Sequence, residues 1–299
     1  MYPLPMLSIL IPTFNEEQAI ETTIRHVHAA FAAMADPDPF EIVVIDDGST
    51  DRTPAILKEI ALPELQIIAH PRNRGYGASM KTGIRRSRGS LIATIDADGT
   101  YPIENFPQLL QELRLRGADM VVGARVKKGV RIPWTRRPAK AILGFLARVL
   151  TGLSIPDLNS GMRIFTRELG ERYMHLYPQR FSFTITITLA ALTNDYVVEF
   201  LPIDYYRRIG PSTMSSGLNG IWNFLNFLSL IVRIITYFHP IKFFAWPSGS
   251  LLLIGAITIG YTLWNDANIS DVGLLTFFTG LQIGVFGLLA ETVVRHRRV

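Results

Sequence analysis

Through the first two thirds of the chain, short apolar runs alternate with longer stretches whose apolar residues recur at helical spacing. Residues 7–12 (LSILIP) read as a buried strand. Behind the turn Thr13-Phe14-Asn15-Glu16-Glu17, the residues Ile20, Ile24, Val27 and Phe31 fall on one helical face. Glu41 to Ile45 predicts a second strand, closed by Asp46-Asp47-Gly48-Ser49-Thr50-Asp51, with a helix from about Arg52. Leu65 to Ala69 predicts a third, followed by a loop from His70 to Gly77 and a helix carrying Ala78, Met80 and Ile84. Leu91 to Ile95 predicts a fourth, with the next helix opening at Tyr101-Pro102, and Ala118 to Gly123 and Val197 to Leu201 predict two more. Residues 183–189 (FTITITL) alternate as a strand does but run into Ala190-Ala191-Leu192, which suits a helix, so the pattern leaves that segment open. Strands alternating with helices of about ten to fifteen residues make βαβ units and a largely parallel sheet, an α/β fold.

The last third changes character. Residues 243–264 and 272–290 are nearly charge-free runs of about 22 and about 19 residues, each long enough to cross a ~30 Å hydrocarbon core as a helix. The polar linker from Asn265 to Asp271 is short, which makes them a hairpin. Residues 218–238 are also apolar, but Asn219, Asn223, Asn226, Arg233 and Thr236 give them a narrow polar stripe. An interfacial helix lying flat is expected there, because a third span would export the basic tail Arg295-His296-Arg297-Arg298. The expected organisation is an α/β domain over 1–215, a juxtamembrane helix over 216–241 and a transmembrane hairpin over 242–299. Met1 to Pro12 carries no basic region ahead of its apolar run, so it is not read as a signal peptide. An integral membrane protein with its α/β domain and both termini in the cytoplasm is expected.

Net charge is +5, and its distribution matters more than its size. Between Met120 and Pro156 stand eight basic residues, Arg125, Lys127, Lys128, Arg131, Arg136, Arg137, Lys140 and Arg148, and no acid. Such a block calls for an anion. Beside membrane spans, and with few aromatic residues for stacking, that anion is read as a lipid headgroup or lipid phosphate, and nucleic acid is not expected. The absence of cysteine excludes disulfides and thiolate metal sites.

Candidate chemistry gathers at the ends of the predicted strands. Asp96 and Asp98 flank the small Ala97 at the end of the fourth, and two hard oxygen donors so placed suit a divalent cation, Mg2+ or Mn2+, shared with substrate phosphates. An acidic turn would use the same residues. However, Asn15 and Glu16 follow the first strand and Asp46 and Asp47 the second, and a parallel sheet brings all these turns to one edge. Gly75 and Gly77 permit close backbone approach, with Arg72 and Arg74 beside them for phosphate, although Met80 stands where a dinucleotide fingerprint would need its third Gly. Asp157 is an isolated acid after the basic block, in a loop from Ile155 to Gly161, and Arg207-Arg208 follow the last strand.

In this order the residues resemble the family-two inverting glycosyltransferases of the GT-A fold, and within them the polyprenyl-phosphate hexosyltransferases typified by dolichol-phosphate mannose synthase. The resemblance covers about residues 6–215 through Pro12-Thr13-Phe14-Asn15-Glu16, Asp46-Asp47-Gly48-Ser49, Asn73-Arg74-Gly75, Asp96-Ala97-Asp98, Gly123-Ala124-Arg125, Asp157-Leu158-Asn159-Ser160-Gly161 and Arg208-Ile209-Gly210-Pro211-Ser212. It implies a Rossmann-like catalytic domain that moves one hexose, mannose or glucose, from a GDP- or UDP-sugar to dolichyl or undecaprenyl phosphate. Pro12, Thr13, Asn15, Glu16, Asp46 and Asp47 would hold base and ribose, with Arg74, Gly75 and Ala97 in the same nucleotide-sugar site. Asp96 and Asp98 would bind the metal on the diphosphate, and Arg125, Arg137, Arg208 and Ser212 the acceptor phosphate. Asp98, Arg208 and Asp157 would be catalytic, with Asp157 an orienting group or base. A homo-oligomer is compatible with the sequence. The rivals are transfer to a lipid or glycan hydroxyl, which would make Asp157 or a neighbouring acid indispensable, and a non-catalytic module binding nucleotides or lipids. Two departures from the family pattern stand out: Thr100 replaces the usual Gln two residues past the second metal Asp, and Thr213 follows Ser212 where Lys is common. The Gln-x-x-Arg-Trp signature of processive synthases is absent, since Phe181 follows Arg180, and this favours single-sugar transfer.

Overall fold

β1 (Leu7–Thr13) is buried along its whole length, which requires a neighbouring strand on each side and cover on both faces. In this computed structural model, which describes residues 6–34, 39–126, 152, 155–179, 182–209, 229, 236 and 240–296, β1 pairs in parallel with β2 (Phe40–Asp46) and β4 (Leu91–Thr94). β2 pairs onward with β3 (Leu65–Ala69), also in parallel. Beyond β4 the sheet continues through β6 (Arg163–Thr166), β5 (Met120–Ala124) and β7 (Val198–Pro202), giving the order β3-β2-β1-β4-β6-β5-β7. Only β6 runs against its neighbours, antiparallel to both β4 and β5, while β5 and β7 are parallel. The chain steps outward from β1 to β3 and then returns to the other side of β1 at β4. That reversal opens a crevice at the carboxyl ends of β1 and β4.

The helices fall where the periodicity put them. α1 (Ile20–Ala32) buries Ile20, Ile24, Val27 and Phe31, and these pack with Ile9, Ile11, Ile42, Val44, Phe106 and Leu109 in the main core. α2 (Thr53–Glu59) and α3 (Tyr76–Arg86) follow β2 and β3. α4 (Phe106–Arg116) begins later than Tyr101-Pro102, after a 3-10 turn over Ile103–Asn105, and stops at Gly117, whose φ of 59° is the left-handed cap that glycine accepts most readily.

Two elements go beyond the sequence reading. β6 was not predicted, being four residues long and opening on an arginine, and α5 (Arg167–Arg172) follows it directly. The open segment at 183–189 is helical, within α6 (Phe183–Leu192), and its alternation does not mark a half-exposed strand because Phe183 to Ala191 are all buried. Its threonine hydroxyls bond backwards inside the helix, Thr186 to Ser182 O at 2.9 Å and Thr188 to Thr184 O at 2.7 Å, so they need no water.

The chain divides into two units, Met1–Trp222 and Asn223–Val299. In the second, α7 (Pro240–Asp266) and α8 (Asp271–His296) form a pair, with stretches of 23 and 24 residues apolar and long enough to cross a membrane, Phe243–Asn265 and Asp271–Val294. They touch through small residues: a Cβ at Gly255 would lie 2.6 Å from Phe277 N and one at Gly280 2.8 Å from Leu252 N, while Ser248 Oγ donates to Gly280 O at 2.8 Å. Leu253, Ile257, Leu275 and Phe286 face outward, as lipid contact requires. The interfacial helix expected over 218–238 lies outside the described residues, apart from single positions.

At the edge of the sheet opposite the crevice, Glu41 is buried and binds three donors. Ser8 Oγ and Arg88 N reach its Oε1 at 2.6 and 2.5 Å, and Arg88 Nε reaches Oε2 at 3.0 Å. Burial pushes this carboxyl up, but the bonds from Ser8 and Arg88 outweigh it and hold it below its ordinary value of 4.5. Its contribution is therefore complete above pH 4.5 and is lost as pH falls through the lowered native value. Glu41→Gln should cost about 2–3 kcal/mol at neutral pH, read as a lower Tm of the detergent-solubilised protein. The gap to wild type should close on acidification; a gap independent of pH would deny the carboxylate charge any role.

Candidate active site

Because β1 to β5 and β7 all run the same way, their carboxyl ends share one edge, and antiparallel β6 brings the residues before it, 157–162, to that edge as well. The first two turns are stitched into one unit. Asn15 takes a left-handed conformation, φ 55°, which Asn tolerates better than most residues. Its Oδ1 accepts from Thr50 N at 2.8 Å and its backbone N donates to Ser49 Oγ at 2.9 Å. Glu16 N donates to Thr53 Oγ1 at 3.0 Å, and Asp46 accepts from Ser49 N at 2.9 Å. Pro12 and Thr13 are buried in β1 beneath this unit.

Asp47 is buried and turned toward the loop before α3. Its oxygens accept from Arg74 N at 3.0 Å, Gly75 N at 2.7 Å and His70 Nδ1 at 2.7 Å, and His70 Nε2 faces the Thr82 hydroxyl at 2.9 Å. Asp47 thus holds the loop that carries Arg74, whose side chain is exposed. Gly77 does not open onto a crevice: a Cβ there would stand 2.0 Å from Pro178 O, so its bare backbone serves internal packing.

The central carboxylates differ in their partners. Asp98, 6% exposed, is saturated: Oδ1 accepts from Thr100 N at 3.1 Å and Thr100 Oγ1 at 2.6 Å, and Oδ2 accepts from Arg208 Nη1 at 3.0 Å. Asp96 Oδ1 is buried without a hydrogen-bond partner, as is the Tyr76 hydroxyl. Burial, with the charge of Asp98 adding to it, pushes the Asp96 carboxyl up to about 6. The loop before β6 presses against Asp96: a Cβ on Gly161 would lie 2.6 Å from its Oδ2. Gly161 N donates to the Tyr101 hydroxyl at 2.7 Å and its carbonyl accepts from Thr94 Oγ1 at 2.6 Å, so it cannot swing away.

Arginines from the far half of the sheet meet these acids. Arg125, just past β5, grips Asp157 with a fork, Nε to Oδ2 at 2.7 Å and Nη2 to Oδ1 at 3.0 Å, and adds its backbone N at 3.1 Å. Its guanidinium carbon stands 5.1 Å from the centroid of Tyr205, a cation–π contact. Burial pushes Asp157 up, but the Arg125 bonds outweigh it and hold the carboxyl below its ordinary range. Arg208 bonds Glu16 as well as Asp98. Burial nevertheless takes Glu16 up to about 7, since Arg208 offsets only part of it and Asp98 adds to it.

The expected site residues Arg137 and Ser212, with the rest of the basic block from Lys127 to Arg148, lie outside the described residues. Sequence reasoning missed Arg163, fully buried behind the site, which donates to Ser160 O, to Thr184 O at 3.0 Å and to Thr188 Oγ1 at 3.0 Å. Burial lowers its proton affinity. Its only signal was an arginine two residues past the Asp157–Gly161 loop. Among the described residues no group of three or more His, Asp or Glu could hold a metal alone. A cation on Asp96 and Asp98 would therefore take further oxygens from a substrate, and the unpartnered Asp96 Oδ1 and the crowding of the two carboxylates fit such an ion.

Residues 8–174 match the model of glycosyl transferase family 2, and residues 239–295 that of the GtrB C-terminal hairpin. The chain is 31% identical over 298 residues to the low-salt glycan biosynthesis hexosyltransferase Agl6 of Haloferax volcanii, covering 95% of this chain and 68% of the relative. It is 28% identical over 307 residues to an undecaprenyl-phosphate 4-deoxy-4-formamido-L-arabinose transferase of Pectobacterium carotovorum, covering 97% and 88%. It is 30% identical over 220 residues to the polyprenol monophosphomannose synthase of Mycolicibacterium smegmatis, covering 69% and 80%. Among solved structures, S. aureus TarS 1-349 with UDP-GlcNAc superposes with a TM-score of 0.59 at 17% identity, covering 94% of this chain and 81% of that one. Glucosyl-3-phosphoglycerate synthase of Mycobacterium tuberculosis with Mn2+, UDP and phosphoglyceric acid gives 0.55 at 18%, covering 78% and 76%. These likenesses fit the sheet order and the site at its carboxyl edge, and the chain belongs to glycosyl transferase family 2, a glycosyltransferase of the GT-A fold.

Proposed function

We propose that this enzyme transfers one hexose from a nucleotide sugar to a polyprenyl phosphate, with inversion at the anomeric carbon. The observation that carries the reading is the Arg125–Asp157 fork. A hydroxyl acceptor needs a base, whereas Asp157 is bound on both oxygens and held below its ordinary range. A polyprenyl phosphate is already an anion at neutral pH and needs positioning only. Two guanidiniums stand at the edge for that task, Arg125 and Arg208, and the planar fork of each matches a phosphate as well as it matches a carboxylate. Arg137 and Ser212 join them in this reading. Asp157 then serves to set the plane of Arg125. The relatives support it, since they include an undecaprenyl-phosphate 4-deoxy-4-formamido-L-arabinose transferase and a polyprenol monophosphomannose synthase.

On the donor side, the stitched turns carrying Asn15, Glu16 and Asp46 take base and ribose, and Asp47 fixes the loop of Arg74 and Gly75. Asp96 and Asp98 hold the divalent cation, Mg2+ or Mn2+. Such an ion would supply positive charge against the leaving diphosphate. The missing side chain at Gly161 lets the Asp96 carboxylate sit where it does. The hairpin anchors the enzyme in the membrane that holds its acceptor. Lys242 ahead of the first span and Arg295, Arg297 and Arg298 after the second support a topology with both termini, and the catalytic domain with them, in the cytoplasm.

Membranes containing the protein, given labelled UDP- and GDP-hexoses, should yield a labelled polyprenyl-phosphate sugar only with a divalent metal present. Failure with every donor of the panel overturns the reading. Asp98→Ala should lower kcat/KM by ~10²–10³-fold; a wild-type rate with metal supplied removes Asp98 from the ion's site. Gly161→Ala should cost about 100-fold in kcat/KM, because the new methyl displaces Asp96. Its Tm should stay close to that of wild type, and a near wild-type rate would mean that Asp96 has room to move.

A further inference from the structure

We propose that Arg208 is a tethered stand-in for the divalent cation: in the ligand-free enzyme its guanidinium occupies Asp98, so metal is admitted together with the nucleotide and is held weakly without it. This rests on the assignment of Asp96 and Asp98 to the metal. Asp98 has two oxygens to offer, and both already accept hydrogen bonds. Oδ1 takes both the backbone N and the hydroxyl of Thr100, at 3.1 and 2.6 Å. Oδ2, the oxygen left for an ion, takes Arg208 Nη1 at 3.0 Å.

Arg208 is not there by the chance swing of a long side chain. Its segment is laid along the Asp98 loop by backbone bonds on either side, Tyr206 N to Thr100 O at 2.8 Å and Ile209 N to Asp98 O at 3.1 Å. The Tyr206 hydroxyl adds a bond to Glu104 at 3.0 Å, and the second guanidinium nitrogen of Arg208 bonds Glu16. The guanidinium thus bridges two acids from different strands that would otherwise repel each other.

A dication on Asp98 Oδ2 and a guanidinium on the same oxygen repel each other and compete for that carboxylate's negative charge. The repulsion weakens the metal unless Arg208 moves away, and Arg208 leaves at low cost only when another anion receives it. Before the acceptor arrives, the nucleotide's diphosphate supplies that anion, and the fork that bridges Glu16 and Asp98 can take two phosphate oxygens instead. Metal and nucleotide therefore favour each other's binding, and the coupling must be equal in both directions. Thr100 sharpens the effect. Where the family pattern has a longer Gln, this chain has a short hydroxyl that ties down Asp98 Oδ1, so the empty enzyme offers a metal little besides Asp96.

The test is Mn2+ binding by the detergent-solubilised full chain, followed by the electron paramagnetic resonance of free Mn2+, alone and with saturating UDP or GDP. For wild type, nucleotide should tighten Mn2+ by at least ~10-fold, within the usual range of such couplings. Arg208→Met should tighten Mn2+ alone by at least ~5-fold and shrink the coupling to less than ~2-fold. If the methionine variant does not fold, Arg208→Gln, which keeps a hydrogen-bond donor to Asp98 without the charge, should shift Mn2+ affinity in the same direction. Mn2+ affinity in the substituted enzyme equal to or weaker than wild type, with nucleotide coupling intact, overturns the proposal. Asp98→Asn separates the two levels: Mn2+ binding unaffected by that change overturns the metal assignment itself.

Discussion

Glu16, Asp96, Asp98 and Asp157 share the carboxyl edge of one sheet, and Arg125 and Arg208 are what allow them to do so. Unit charges about 4 Å apart near a protein surface interact by about 4 kcal/mol, and burial adds a further penalty for each. Even with the arginines in place, Glu16 is pushed up to about 7 and Asp96 to about 6. The sheet order supplies the compensation. Strands β1, β2 and β4 lead into acids, whereas β5 and β7, beyond antiparallel β6, lead into Arg125 and Arg208. The edge is thus negative on one side, positive on the other and closed across the middle by ion pairs. In the proposed reading those pairs are exchanged for the phosphates of a donor and an acceptor.

Packing fixes the positions of the paired groups. Behind Asp96 lies Arg163, a buried cation whose bonds go to carbonyl and hydroxyl groups. Its partners Thr184 and Thr188 come from α6, and Thr184 Oγ1 also donates to Asn159 Oδ1 at 2.7 Å, which ties the Asp157 loop to that helix. In front, Tyr101 stacks edge-on against Tyr205, with centroids 5.3 Å apart, and Tyr205 in turn faces Arg125. Each ion pair therefore has a packed neighbour.

Much of this was legible in the sequence, and the limits have physical causes. Continuous apolar runs such as 7–12 and 41–45 announced central strands, and the spacing of Ile20, Ile24, Val27 and Phe31 announced α1, because burial periodicity is a local property. The Asp96–Asp98 pair, the converging turns and the hairpin were visible for the same reason. β6 was hidden, since four residues opening on an arginine carry no period. The threonines of α6 mimicked a strand because every side of that helix is covered, so burial left no imprint on its pattern. The ion pairs were beyond reach: Arg125 and Asp157 are 32 residues apart, and Arg208 lies 110 from Asp98 and 192 from Glu16. Only the strand order brings them together. Gly77, expected to face a ligand, instead clears the Pro178 carbonyl, a contact made by chain a hundred residues away.

In the proposed reading the arginines hold the acceptor and Asp157 is engaged by Arg125, so the acceptor brings its own negative charge. The most direct measurement compares undecaprenyl phosphate with undecaprenol, the same lipid ending in a hydroxyl, as acceptors for the purified enzyme with one labelled nucleotide sugar and a divalent metal. Sugar should pass to the phosphate and not detectably to the alcohol across the neutral pH range. Comparable rates on the two lipids would contradict the account and return a carboxylate base, Asp157 or Glu16, to the centre of the mechanism.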